Sequence, residues 1–193
     1  MRHQVGIQPG GYFGGFPPSR LGLYGGPYDT FKAMARAALG NRGERSPVVG
    51  AFKDKVVRYI QPKDYVGEMV AVRNALLQPS PFTGQPLLRY TNDPRHVEWV
   101  KDPQTLVEEI NRFGAGTCDC DESATFLAAL LLQLGREVEF VGLGFGPGDQ
   151  LTHVGVRARE PKTGRWVWFD TVAGPREREA AERAKRIVTY SLD

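Results

Sequence analysis

The run Cys118-Asp119-Cys120-Asp121-Glu122-Ser123-Ala124-Thr125-Phe126-Leu127-Ala128-Ala129-Leu130-Leu131-Leu132-Gln133-Leu134-Gly135 decides the fold. Asp119 followed three residues later by Glu122 is a capping box, so Cys120 is expected as the first helical residue. Gly135 is the natural stop. Ala124, Phe126, Leu127, Leu130, Leu131 and Leu134 cover more than one stripe of this helix. It is therefore expected to lie buried at the centre of the molecule.

Three strands are expected after it. Val138 to Phe145 is the first, and Gly146 to Asp149, with Pro147, is a turn. His153 to Arg159 alternates, with Val154, Val156 and Ala158 on one face and His153, Gly155 and Arg157 on the other. Pro161-Lys162-Thr163-Gly164 is a hairpin loop, and Trp166 to Asp170 returns antiparallel. If Glu160 and Arg165 flank the loop, Gly155 lies opposite Asp170. His153 is then the diagonal neighbour of Asp170 on the same face. Beyond Asp170 the chain is charged, and Glu177, Glu179 and Glu182 alternate with the basic residues of Arg176 to Arg186 as on a solvated helix.

Before the central helix the signals are shorter. Residues 1–28 interleave Gly and Pro with Tyr12, Phe13, Phe16, Tyr24 and Tyr28, and no regular element is expected there. Read plainly this is a disordered arm. Its aromatics also suit an arm that docks on a neighbouring protein. Residues 29–46 hold a short helix, with Asp29 as N-cap and Gly40 as C′ residue, then a polar linker. Residues 47–193 make the main domain. Within it, helices are expected over Val49 to Ile60, Asp64 to Leu77 and from Asp102-Pro103 to Gly114. Leu87 to Thr91 is a short strand and Gln78 to Gln85 a loop. The fold class is α+β: a Cys-bearing helix against an antiparallel sheet, with a helical N-terminal half.

The 193 residues suit one domain with extra chain at its ends. Hydrophobic residues at 41% are enough for a packed core, and a net charge of +3 is too small to argue for nucleic acid. No stretch approaches the roughly 18 apolar residues that span a bilayer. Met1 to Phe13 lacks the apolar centre of a signal peptide. With two cysteines there is no disulfide framework, so a reducing, cytoplasmic setting is expected.

Cys120, His153 and Asp170 are the residues that carry chemistry. At a helix N-terminus, unpaired N–H groups and the dipole favour thiolate. A histidine can take the thiol proton, and a carboxylate fixes its tautomer. The Cys120 N–H can also donate to a developing oxyanion. Asp119, Asp121 and Glu122 work against this by raising the thiol pKa. Cys118 precedes the cap and is a poorer nucleophile, and a Cys118–Cys120 disulfide would close a strained ring. A zinc site would want more Cys or His than can converge, so neither metal nor cofactor is expected. His96 reads as a surface residue. Trp166 and Trp168 share a face with Asp170 and either shield the Asp170–His153 pair from water, line the substrate cleft or simply pack.

Cys120-Asp121-Glu122-Ser123-Ala124, His153-Val154-Gly155-Val156 and Trp168-Phe169-Asp170 together resemble the transglutaminase-like superfamily. The likeness covers roughly Leu87 to Asp170. It implies a papain-like α+β fold with Cys120 as nucleophile, His153 as base and Asp170 as orienter, acting on a protein or peptide substrate through a thioester. It also implies an upstream oxyanion donor, for which Tyr90 and Trp99 are the candidates. Arg89-Tyr90, Asn92-Asp93-Pro94 and Glu98 resemble a subgroup from tailed-phage and prophage structural gene clusters, which implies incorporation into a virion. Many members carry an aromatic two residues after the His, where this chain has Gly155.

Two functions follow. One is a peptidase or amidase, with crosslinking as the variant in which an amine replaces water. The other is a non-enzymatic assembly component with a vestigial triad. For the enzyme, the loops Arg112 to Asp119 and Gly144 to Thr152 are expected to form opposite walls of one cleft, with Cys120 at its floor.

Overall fold

A computed structural model describes residues 19–21, 27–77, 79, 84–92, 98–147, 150–171 and 181–192. The elements in chain order are β1 (Ser19–Leu21), α1 (Pro27–Leu39), α2 (Pro47–Val57), α3 (Tyr65–Leu77), β2 (Leu88–Tyr90), β3 (Glu98–Val100), α4 (Pro103–Phe113) and β4 (Gly116–Cys118). Then come α5 (Cys120–Gln133), β5 (Val138–Gly144), β6 (His153–Arg159), β7 (Trp166–Phe169) and β8 (Arg186–Ser191). The class is α+β.

Helix α5 is the axis of the molecule. Its capping box forms: Asp119 Oδ1 accepts from the N–H groups of Asp121 and Glu122 at 3.0 and 3.3 Å, and Glu122 Oε2 accepts from Asp119 N–H at 3.0 Å. Gly135 follows the C-cap with φ of 72°, a left-handed conformation that glycine adopts without a Cβ clash. Phe126, Leu127, Leu130 and Leu131 are fully buried. One side of α5 meets the sheet, and α1 to α4 pack around the rest. That enclosure is what an all-round apolar helix requires.

The sheet is antiparallel in the order β7-β6-β5-β8. Its core face presents Phe140, Val154, Val156, Ala158 and Phe169 to the helices. Phe169 pairs with Val156, and Glu160 N–H donates to Arg165 O at 2.8 Å. That is the register expected from the hairpin loop, with Gly155 next opposite Asp170. The other face carries an ion pair of Arg157 with Glu139 and the Arg157 guanidinium over Trp166, 4.7 Å from the ring centroid.

Several elements differ from expectation. Ser19–Leu21, inside the arm, is a strand paired antiparallel with Glu98–Val100. It is free of Gly and Pro and lies between Pro18 and Gly22, so the local breakers leave it able to pair. The arm residues 1–18 and 22–26 fall outside the described residues. Helix α1 begins at Pro27, so Asp29 lies in its first turn and pairs with Lys32 instead of capping. Met34 and Ala38 of α1 are fully buried in the same core as α5. The turn after α1 is also held down. Arg42 donates to Asp102 and Thr105 of the α4 cap, and Ser46 Oγ donates to Gln104 at 2.9 Å. Gly116–Cys118 is a strand pairing parallel with Leu88–Tyr90. Arg186–Ser191 is the sheet's fourth strand, a correction to the charged helix expected for the tail.

Gly155 has a steric reason. A Cβ there would lie 2.4 Å from Trp168 Cη2 and 2.9 Å from the Phe169 carbonyl oxygen. The Trp168 indole, reaching across from β7, fills the space that a side chain at 155 would need. Gly155→Ala is expected to destabilise the protein by about 1–3 kcal/mol through overpacking, read as a lower urea midpoint.

Candidate active site

The capping box sets Cys120 at the first turn of α5, and it leaves one donor over. Asp121 and Glu122 N–H go to Asp119, and Asp119 N–H goes to Glu122. The Cys120 N–H takes no part in the box and, as the first of the helix, has no intrahelical acceptor.

His153 opens β6 and Asp170 follows β7, so the hairpin register makes them diagonal neighbours. His153 Nε2 lies 2.6 Å from Asp170 Oδ2. Asp170 is fully buried. Its carbonyl accepts from Arg73 Nε at 3.1 Å, which fixes the end of β7 against α3. Thr171 Oγ1 donates to Ser123 Oγ at 2.6 Å, and Ser123 Oγ donates to the Cys120 carbonyl at 3.1 Å. This chain of hydroxyls ties the Asp170 strand end to the first turn of α5. Sequence reading did not single out Arg73, Ser123 or Thr171. Ser123 lies within the quoted motif, but Arg73 carries no local signal.

Cys120 and His153 line one cavity of about 430 Å³. Its walls differ in part from expectation. Gln150, Leu151 and Thr152 line it, as part of the Gly144 to Thr152 loop that was expected there. Thr30, Phe31 and Met34 of α1 line it as well. Of Arg112 to Asp119 only Asp119 reaches it, because Gly116–Cys118 is held in the β2–β4 pair.

The electrostatics favour neutral sulfur. Burial pushes the Cys120 thiol pKa well above its ordinary value, and the carboxylates of Asp121 and Asp119 push it further. The backbone N–H of Val154 works weakly the other way. The sulfur hydrogen-bonds to Asp121 Oδ1 at 3.5 Å, and no hydrogen bond joins it to His153 among the described residues. The helix N-terminus is thus outweighed at rest. Cys118 is buried, free and likewise raised, chiefly by burial and then by Glu122. Asp121→Asn is expected to lower the Cys120 pKa by removing a neighbouring negative charge. Alkylation at mildly alkaline pH should then speed up by roughly tenfold, the effect of about one pKa unit. Cys118, whose shift does not come from Asp121, is the internal control.

Tyr90, half exposed at 54%, ends β2 opposite Cys118. Its phenol pKa is raised by burial first and next by Cys120, so the two groups lie within electrostatic reach. The backbone of Trp99 pairs with Arg20, while its side chain and His96 lie outside the described residues. Asp119, Cys120 and Asp121 offer ligand-type atoms within 4.8 Å of one another. Asp119 Oδ1 already accepts two backbone N–H groups, so this cluster first of all closes the helix.

No family model matches the chain, and no curated protein matches it. Among solved structures it is similar to a proposed protease from Parabacteroides distasonis, with a TM-score of 0.55 at 17% identity over 83% of this chain. The chain spans 29% of that protein's length. At that identity the likeness speaks for the α+β fold. No helix among the described residues is long and apolar enough to cross a membrane.

Proposed function

We propose that the chain is a transglutaminase-like cysteine peptidase or amidase, with Cys120 as nucleophile, His153 as base and Asp170 as orienter. The observation that carries this reading is the 2.6 Å His153–Asp170 hydrogen bond beside a cavity that Cys120 also lines. With Asp170 ionised, His153 Nε2–H donates to it and Nδ1 is left as the basic atom. Substrate binding turns the thiol from Asp121 towards His153, since catalytic hydrogen bonds often tighten only in the complex. Nδ1 takes the thiol proton as sulfur adds to the amide carbonyl. The oxyanion accepts from Cys120 N–H, and Tyr90, which ends β2 opposite Cys118, is the candidate second donor. Collapse expels the amine, which takes its proton from His153. Water, deprotonated by His153, then cleaves the thioester. We favour water over an amine acceptor because Gln150 and Thr152 leave the cavity mouth exposed to solvent.

The second reading is a non-enzymatic assembly component of a phage particle, carried into the virion. The observation that favours it is the resting thiol itself, held neutral by burial and by Asp121 and bonded away from His153. Mass spectrometry of candidate substrate proteins, with the unmodified chain and with Cys120→Ala, separates the two. Two fragments that together equal the substrate plus one water, present only with Cys120, mean hydrolysis. Loss of ammonia between two joined chains means crosslinking. Unchanged substrates mean the assembly reading.

A further inference from the structure

The sheet register puts one acid within reach of two partners. Asp170 stands opposite Gly155, so its diagonal neighbours along β6 are His153 on one side and Arg157 on the other. An arginine is charged at every working pH and offers a carboxylate two parallel donors. In open competition it would displace a neutral imidazole. Yet Asp170 Oδ2 lies 2.6 Å from His153 Nε2, and Arg157 is held elsewhere. Its Nε donates to Glu139 Oε2 at 2.6 Å, and its guanidinium lies over the Trp166 ring.

The Trp168 indole stands between Arg157 and Asp170. Trp168 pairs with Arg157 in the register, but its ring reaches diagonally over Gly155. A Cβ on Gly155 would lie 2.4 Å from Trp168 Cη2 and 2.7 Å from Cζ2. Gly155 is both the residue between Arg157 and His153 on this face and the partner of Asp170. The ring tip therefore occupies the crossing that Arg157 would have to take. Asp170 is fully buried there, although the same face leaves Trp166 38% exposed. Trp168 Nε1 is buried with no hydrogen-bond partner among the described residues, so the indole acts as a ring and not as a donor to Asp170.

We propose that Trp168 is a positioning residue: lying over Gly155, its indole keeps Arg157 from Asp170 and so reserves the carboxylate for His153. The effect on rate rests on the enzyme reading of Cys120, but the choice of Asp170 between its two neighbours does not. Glu139 and Trp166 hold Arg157 on the far side of the barrier. Without the indole the guanidinium would take a share of Asp170, and His153 would lose the group that fixes its tautomer.

The test uses the full chain and two readouts. One is the rate of Cys120 acylation by a peptidyl probe near neutral pH. The other is the far-downfield proton resonance of the His153 Nε2–H on its carboxylate, assigned by its absence in His153→Gln. Trp168→Ala should slow acylation by about tenfold, the size of a coupling within one ion-pair network, and should weaken the resonance. Adding Arg157→Gln to Trp168→Ala should restore both, because the competitor is gone. Arg157→Gln alone should change neither. Trp168→Leu keeps apolar packing on β7 but falls short of Gly155, and it should behave as Trp168→Ala does if the smaller residue fails to fold. Loss of rate and resonance that Arg157→Gln does not restore would overturn the proposal, since the indole would then act by packing alone. A resonance unchanged in Trp168→Ala and Trp168→Leu would overturn it too. A resonance that falls and returns as expected, with equal Cys120 rates in every chain, would uphold the barrier and remove the enzyme reading instead.

Discussion

Replacing Asp170 by Asn is expected to lower the rate of Cys120 acylation by about four orders of magnitude while the fold stays in place. The carboxylate is fully buried and 2.6 Å from His153 Nε2, and in the proposed mechanism it accepts the Nε2 proton. An amide fits the same space but can turn its NH₂ towards the ring. Nε2 then becomes the acceptor and the proton moves to Nδ1, the atom needed as base. The backbone restraints on this position, Arg73 to the Asp170 carbonyl and Thr171 to Ser123, do not involve the carboxylate. A small change in melting temperature with a large loss of rate would therefore separate orientation from folding. Asp170→Asn with near-full activity would mean that His153 does not work through Asp170.

The largest loss of stability is expected from Phe126→Ala, at about 3–5 kcal/mol. Phe126 is fully buried on α5, and its ring packs at a tilt on Phe52 with centroids 5.5 Å apart. Helices α2 and α5 meet there. A cavity at that point removes contacts on every side, and urea unfolding should show a lower midpoint at an unchanged slope. A loss under about 1 kcal/mol would mean that the core re-closes around the smaller side chain.

Sequence alone made α5 legible because its signals agree. Asp119 and Glu122 cap it, the apolar positions enclose it, and Gly135 stops it. The hairpin was legible for the same local reason: a short loop between alternating strands brings His153 near Asp170 whether or not a bulge shifts the pairing, and the structure shows the unbulged register. What was not legible is pairing between distant segments. Leu88–Tyr90 joins Gly116–Cys118 across the intervening α4, and Ser19–Leu21 joins Glu98–Val100 across three helices. Leu88–Tyr90 was expected as a strand, but its partner was not; the other three-residue strands carry too little periodicity to show themselves. Ile187-Val188-Thr189-Tyr190 did carry a β-branched and aromatic signal, and the charged run before it masked the strand. The cavity wall from α1 was invisible for a different reason. Phe31 and Met34 read as one helix's apolar stripe, and only tertiary packing says that the stripe also borders Cys120. The sign of the Asp119 and Asp121 effect on the thiol was legible; that it outweighs the helix N-terminus was not, because burial supplies the largest part.

The central claim is that Cys120 reacts through His153, although no hydrogen bond joins them at rest. The most direct measurement is the rate of Cys120 modification by an acylating peptidyl probe near neutral pH, in the unmodified chain and in His153→Gln, with Cys118 followed in the same spectra. The account predicts that Cys120 reacts first and that His153→Gln slows it by about a hundredfold or more, the lower range for a positioned general base. It also predicts that Cys118, buried in the β2–β4 pair, changes in neither chain. Equal Cys120 rates in the two chains, or modification of Cys118 ahead of Cys120, would contradict it.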